Sequence, residues 1–168
     1  MRRFIFNDGG PISPPPITYS VGDIAQGGIV CLVWSGGTHG LVASYDLIST
    51  GATWGCEGTS ITTSDAVGTG QANTNAILAG CATSDIAARL CDNLSLSGYT
   101  DWFLPSYRDI LGTDGKGIGK AVYNKTGTNI SIWSSSQFSS TRAIRADAGG
   151  SSSADKSSLR PVRAVRIF

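Results

Sequence analysis

The stretch that decides the fold is Gly27-Gly28-Ile29-Val30-Cys31-Leu32-Val33-Trp34, which passes through Ser35-Gly36-Gly37-Thr38-His39-Gly40 into Leu41-Val42-Ala43-Ser44-Tyr45. Ile29 to Trp34 is the longest unbroken apolar run in the chain, and its β-branched and aromatic content suits a strand buried on both faces. A Gly-rich connection of about six residues then returns the chain as Leu41 to Tyr45, which reads as a hairpin. The same run is far short of the roughly 20 apolar residues that cross a bilayer, so membrane insertion is excluded from the reading.

Upstream of the hairpin, Tyr19 opens the domain and Gly22-Asp23 marks a turn. Residues 1–17 read as a separate arm. Arg2 to Phe6 forms a short strand candidate, and Pro14-Pro15-Pro16 favours an extended polyproline conformation that cannot join a sheet interior. Phe4, Ile5 and Phe6 would bury more usefully against a partner than in water, which makes them the partner-anchoring residues of the arm. The expected division is an attachment arm at 1–17 and one domain at 18–168. Arg2 and Arg3 resemble the start of a signal peptide, but the apolar part ends at Asn7-Asp8, below the roughly 7 to 15 residues such a segment needs. Export through the secretory pathway is therefore not expected.

Downstream, Ser49 to Gly70 shows neither period and reads as a long ordered loop carrying Trp54, Cys56 and Glu57, the only glutamate. Asn73 to Ala79 predicts a short helix. Ser84 can cap a second from Asp85 to about Leu94, where Ile86, Leu90 and Leu94 recur at i, i+4 and i+8. Ser106 can cap a third over Tyr107 to Leu111, with Asp109 as capping-box partner and Gly112 as its end. The remainder reads as Gly- and Ser-rich turns between strands at Ile130 to Ser134, Thr141 to Ala146 and Arg160 to Phe168. Of the 168 residues, 59 are Gly, Ser or Thr, which favours turns and loops over a helical bundle. The class is α+β.

Charge and chemistry narrow the function. The net charge is +1, and no basic stretch carries interleaved aromatics, so nucleic acid is not expected as a partner. A nucleophilic triad would need His39, the only histidine, which sits in a Gly-rich loop with no Gly-x-Ser-x-Gly elbow. Gly115 to Lys120 lacks the order of a phosphate-binding loop and reads as a surface turn. Cys31, Cys56, Cys81 and Cys91 contain no CxxC pair and His39 is the only histidine, so a zinc site is not expected; no helix-loop-helix calcium-loop pattern is present, and no metal or cofactor is expected. The four read as reduced core cysteines, with Cys56 and Cys81 the pair to test for a disulfide. Trp34 and Trp102 lie in apolar segments and read as core. Trp54 and Trp133 border Gly- and Ser-rich stretches, where an indole face could stack on a sugar ring.

Several segments form a series in chain order: Val21-Gly-Asp, Gly27-Gly-Ile-Val, His39-Gly-Leu-Val-Ala, Gly68-Thr-Gly-Gln-Ala-Asn-Thr, Gly98-Tyr-Thr-Asp-Trp-Phe-Leu-Pro-Ser, Ile132-Trp-Ser-Ser-Ser-Gln and Arg160-Pro-Val-Arg-Ala-Val-Arg. Over roughly residues 19 to 168 this resembles the C-terminal domain of collagen-like bacterial adhesins, a C-type lectin-like family also found in surface proteins of gut bacteria and their phages. The resemblance implies two short helices flanking small antiparallel sheets, first and last strands paired, and long loops presenting a ligand surface. It implies binding rather than catalysis; the formylglycine-generating enzymes that share the broader fold use a cysteine pair that these four residues do not supply.

The Pro-linked arm and the missing export signal lead to the expectation of a phage virion protein, a capsid decoration or a head or tail fibre. The arm would hold other virion proteins, and the domain would meet a host surface glycan or protein. A homo-oligomer suits a fibre, although no heptad supports one. The alternative is an adhesin module of the bacterial cell surface. Ligand-binding candidates are Trp54 and Glu57 from the long loop and Trp133, Gln137 and Arg142 from the late segment.

Overall fold

The hairpin is the middle of the largest sheet. The computed structural model describes residues 14–168; Phe4, Ile5 and Phe6 lie outside the described residues. In chain order the elements are β1 (Ile24–Ala25), β2 (Gly28–Trp34), β3 (His39–Ala43), β4 (Ser49–Ala52), α1 (Gly70–Gly80), α2 (Ala87–Asp92), α3 (Tyr107–Leu111), α4 (Ile118–Thr126), β5 (Ile132–Gln137), β6 (Arg142–Ala146), β7 (Ser151–Asp155), β8 (Arg160–Val162) and β9 (Val165–Ile167). They make an α+β domain with three antiparallel sheets, ordered β1-β2-β3-β9, β4-β8 and β5-β6-β7.

Alternation along the hairpin sorts its side chains into two cores. Ile29, Cys31, Leu41 and Ala43 face one way and pack with Val165, Phe103 and the Ile118, Ala121 and Val122 face of α4. Val30 and Val42 face the other way, into a larger core with Trp102, Leu104, Ile77 of α1 and Ala87, Ala88 and Cys91 of α2. This two-sided burial is why the apolar run is unbroken rather than alternating. The β1–β2 turn needs positive φ at both central residues, Gln26 (φ 55) and Gly27 (φ 90). Gln26 is held there by its neighbours: its Nε2 donates to Tyr19 Oη (3.0 Å), and its Oε1 accepts from Tyr99 Oη (3.1 Å).

The elements depart from the sequence reading in seven places. The one strand expected over Arg160 to Phe168 is two, β8 and β9, which lie in different sheets. The hairpin connection is four residues long, because His39 and Gly40 pair with Trp34 and Val33. The last strand, β9, pairs with β3 rather than with the first strand, which is a two-residue piece on the opposite edge. Ser84 caps nothing; Asp85 takes a positive φ of 58° and the helix starts only at Ala87. The long loop contains β4, which pairs with β8. The stretch taken for a surface turn opens into α4, where Ile118, Ala121 and Val122 recur at i, i+3 and i+4 and Gly127 closes the helix in the left-handed conformation. β7, Ser151 to Asp155, completes a meander that Ser-rich composition concealed.

The α3 prediction fits in full. Ser106 Oγ accepts from Asp109 N (3.1 Å), and Asp109 Oδ2 accepts from Ser106 N (2.9 Å). Asp109 also takes Gly68 N on Oδ1 (2.7 Å), so the cap ties down the end of the long loop. Burial raises the Asp109 pKa against the opposing pull of these donors. No helix among the described residues is long and apolar enough to cross a membrane.

Candidate functional site

The residues expected to face a ligand divide sharply. Trp54 and Trp133 are buried, at 1% and 0% exposure, so neither indole face is open to a sugar. They close the junction of the sheets reciprocally: Trp54 Nε1 donates to Ser134 O (2.9 Å), and Trp133 Nε1 donates to Ala52 O (2.8 Å). Trp34, read as core, is instead 43% exposed at the hairpin tip, while Trp102 is buried as expected. The Ser134-Ser135-Ser136 run beside Trp133 is buried and stitches elements together. Ser134 Oγ donates to Ile144 O (2.8 Å), Ser135 Oγ accepts from Asn73 Nδ2 (3.0 Å), and Ser136 Oγ donates to Ser64 O (3.1 Å).

Gln137, Glu57 and Arg142 lie near one another but are engaged by the protein. Gln137 Oε1 accepts from Ile61 N (2.9 Å) and from Lys156 Nζ (2.6 Å). Lys156, absent from the sequence-based candidates, is fully buried; its ammonium also donates to Thr59 O (2.7 Å) and lies 4.4 Å from the Trp54 ring centroid. Burial lowers the Lys156 pKa and Glu57 raises it. Glu57 Oε2 accepts from Ser157 N (3.2 Å). Arg142 spans β6 and β7, donating to Ser153 Oγ (3.0 Å) and to Ser153 O (2.7 Å) and pairing with Asp155 at 3.4 Å. A lone lysine in a Ser-rich stretch offers no sequence signal for this clamp.

The disulfide expectation also divides. Cys56 and Cys81 are bonded, pinning the long loop to the end of α1, and Cys31 and Cys91 are free and buried. The reduced reading therefore fails for the first pair: positive φ at Cys56 and extended backbone at Cys81, where α1 ends, accompany a Cα separation of 5.7 Å. Burial pushes the Cys31 thiol up to about 12 and the Cys91 thiol up as well, which makes both inert.

Open concave surface lies elsewhere, on either side of Tyr45 in the β3–β4 connection. Three clefts meet at this residue, which is 46% exposed. One, of about 410 Å³, lies among Tyr45, Asp46, Lys125, Thr128, Ile130 and Arg163. A second, of about 280 Å³, is apolar, between Tyr45, Leu47, Ile48, Leu94 and Leu96. A third, of about 500 Å³, lies among Ile24, Ala25, Tyr45, Ser97 and Tyr99.

The C-terminal segment holds the Tyr45 connection at both ends. Ser44 N donates to Ala164 O (2.9 Å), Ile48 N donates to Val162 O (2.9 Å), and Arg163 Nη1 donates to Ser44 O and to Tyr45 O. Beyond the third cleft, Arg166 makes a two-pronged pair with Asp101, Nε to Oδ1 at 2.7 Å and Nη2 to Oδ2 at 3.0 Å, and lies 3.8 Å from the Tyr99 ring centroid. The Arg166 hydrogen bond holds the Asp101 carboxyl below its ordinary pKa.

The fold and these clefts define an α+β domain whose loops frame concave surface around one exposed tyrosine. No family model and no curated protein sequence matches the chain. Among the described residues, no group of three or more His, Cys, Asp or Glu could hold a metal ion.

Proposed function

We propose that the protein is a non-catalytic binding module of a phage particle, a capsid decoration or a head or tail fibre. Residues 1–17 anchor it to other virion proteins, and a C-type lectin-like domain faces outward to a host surface glycan or protein. The observation that carries the binding half is the position of Tyr45: a half-exposed aromatic ring at the meeting of three clefts bordered by backbone amides and hydroxyls is the composition that sugar recognition uses. The anchoring half is supported by the way the sheet closes at Tyr19. Tyr19 N donates to Gly37 O (2.8 Å) and its ring packs edge-on against Phe168 with centroids 5.3 Å apart, while Pro14 to Thr18 remain exposed.

The second reading is an adhesin module of the bacterial cell surface. The Cys56–Cys81 disulfide belongs to an oxidising environment, which a virion surface and a cell surface both provide, so it supports either reading. Mass spectrometry of density-purified particles beside fractionated cells separates the two. Many copies per particle, lost when residues 1–17 are deleted although the domain still melts cooperatively, support the virion reading. Recovery only from the cell envelope overturns it in favour of the adhesin.

A further inference from the structure

The segment Arg160-Pro-Val-Arg-Ala-Val-Arg places two arginines three residues apart, both 7% exposed, and the protein treats them differently. Arg166 presents its Nε and Nη2 edge to the Asp101 carboxylate. Arg163 has no carboxylate within ion-pair distance among the described residues. Its Nη1 is taken by the carbonyls of Ser44 and Tyr45, and its Nε and Nη2 have no hydrogen-bond partner among the described residues. Among the described residues, the guanidinium nitrogens that are both sealed and unpartnered are Nε of Arg145 and Nε of Arg160, not those of Arg163.

A buried cation without a counter-charge is costly, and the Nε–Nη2 edge of a guanidinium presents two parallel donors matched to the two oxygens of a carboxylate. Arg163 lines the 410 Å³ cleft, with the exposed Lys125 at the rim and the hydroxyl-bearing Thr128 beside it. Asp46 is the one carboxylate lining that cleft; it faces Arg163 without reaching ion-pair distance and opposes a second anion.

The geometry points to a carboxylate-binding site in the cleft between Tyr45, Lys125 and Arg163, filled by the carboxylate of an acidic sugar. Arg163 Nε and Nη2 grip the two oxygens as Arg166 grips Asp101, Lys125 adds charge from the rim, and Tyr45 lies against the ring. This inference rests on the glycan-binding reading above and narrows it to uronic-acid-type sugars.

The test is calorimetric titration of the full chain with sodium glucuronate, its methyl ester, glucose and inorganic phosphate. Glucuronate should bind, and the ester and glucose should bind at least tenfold more weakly, since a lost charge-assisted pair is worth about tenfold or more. Lys125→Ala should weaken glucuronate binding about threefold and Asp46→Asn should strengthen it about threefold, the size of single exposed charges. Arg163→Lys keeps the charge and removes the fork, and should lose about tenfold or more in binding while the protein still melts cooperatively. If that variant unfolds, the Lys125 and Asp46 variants decide the matter.

Equal binding of acid and ester, or indifference to both the Lys125 and the Asp46 changes, overturns the proposal. So does phosphate bound as tightly as glucuronate. Glucuronate bound with this charge pattern, by a protein whose particles or cells adhere to no glycan, upholds the site and overturns the adhesion reading. A glycan bound with no response to these variants upholds adhesion and overturns the site.

Discussion

The face around Lys156 and the face around Arg163 each bury a cation and each lie beside an aromatic residue, but only Arg163 leaves two donor nitrogens without a partner among the described residues. Lys156 gives two of its hydrogens to Thr59 O and Gln137 Oε1 and rests on Trp54. Arg163 gives one nitrogen to two carbonyls and leaves its carboxylate-matching edge without a partner among the described residues. Residue types mark capacity for interaction, and the fold can consume that capacity. Trp, Gln and Arg around β5 and β6 have the chemistry of a binding site, yet Trp54, Trp133, Gln137 and Arg142 direct it at the protein's own backbone and side chains.

If the Lys156 face is structural, its parts should fail as stability elements. Trp133→Ala should have the largest effect, a loss of about 4 kcal/mol from the vacated core and the orphaned Ala52 carbonyl. Thermal or urea melts read it, and a variant that melts normally but loses ligand would reverse the comparison. Replacing Cys56 and Cys81 together with Ser should cost about 3 kcal/mol, because the bond closes a long loop. Melting the wild-type protein with and without reductant should reproduce the difference.

Asp109→Asn should cost about 2 kcal/mol, since one of the two backbone N–H groups held by the carboxylate, Gly68 N or Ser106 N, would meet an amide donor instead. Melts of this variant test whether the long loop depends on the α3 cap.

The Arg166–Asp101 pair should contribute under about 1 kcal/mol, because the carboxylate is half exposed. Its folded pKa is depressed, so that contribution is present above the unfolded value of about 3.9 and is lost as pH falls through the depressed one. Asp101→Asn should therefore melt closer to wild type in acid than at neutral pH. Arg142→Ala should be smallest, within about 0.5 kcal/mol by denaturant titration, because its Asp155 partner is exposed.

Much of the scaffold was legible in the sequence because local rules decided it. The two-sided hairpin follows from an unbroken apolar run, and the Ser106–Asp109 box follows from residue type and spacing. α4 was missed: Ile118, Ala121 and Val122 carry a helical period, but Gly115, Gly117 and Gly119 masked it and made the stretch read as a turn. The cleft was not legible. In the sequence Tyr45 reads as the end of a strand, and Arg163 shares its spacing with Arg160 and Arg166; only the pairing of β8 and β9 with earlier strands brings Arg163 under the Tyr45 connection. Nothing local distinguishes an arginine that finds Asp101 from one that finds two carbonyls. The burial of Trp54 and Trp133 was hidden for the same reason, since each indole satisfies its N–H on backbone about 80 residues away.

The comparison is tested most directly by amide and arginine side-chain NMR of the labelled protein titrated with glucuronate. The account predicts progressive shifts at Tyr45 to Leu47, at Lys125 to Ile130 and at the Arg163 Nε–H, with Ser60 to Thr63, Gln137 and Lys156 unmoved. Shifts centred on Gln137, Lys156 and the Trp54 loop, with the Arg163 Nε–H silent, would contradict it.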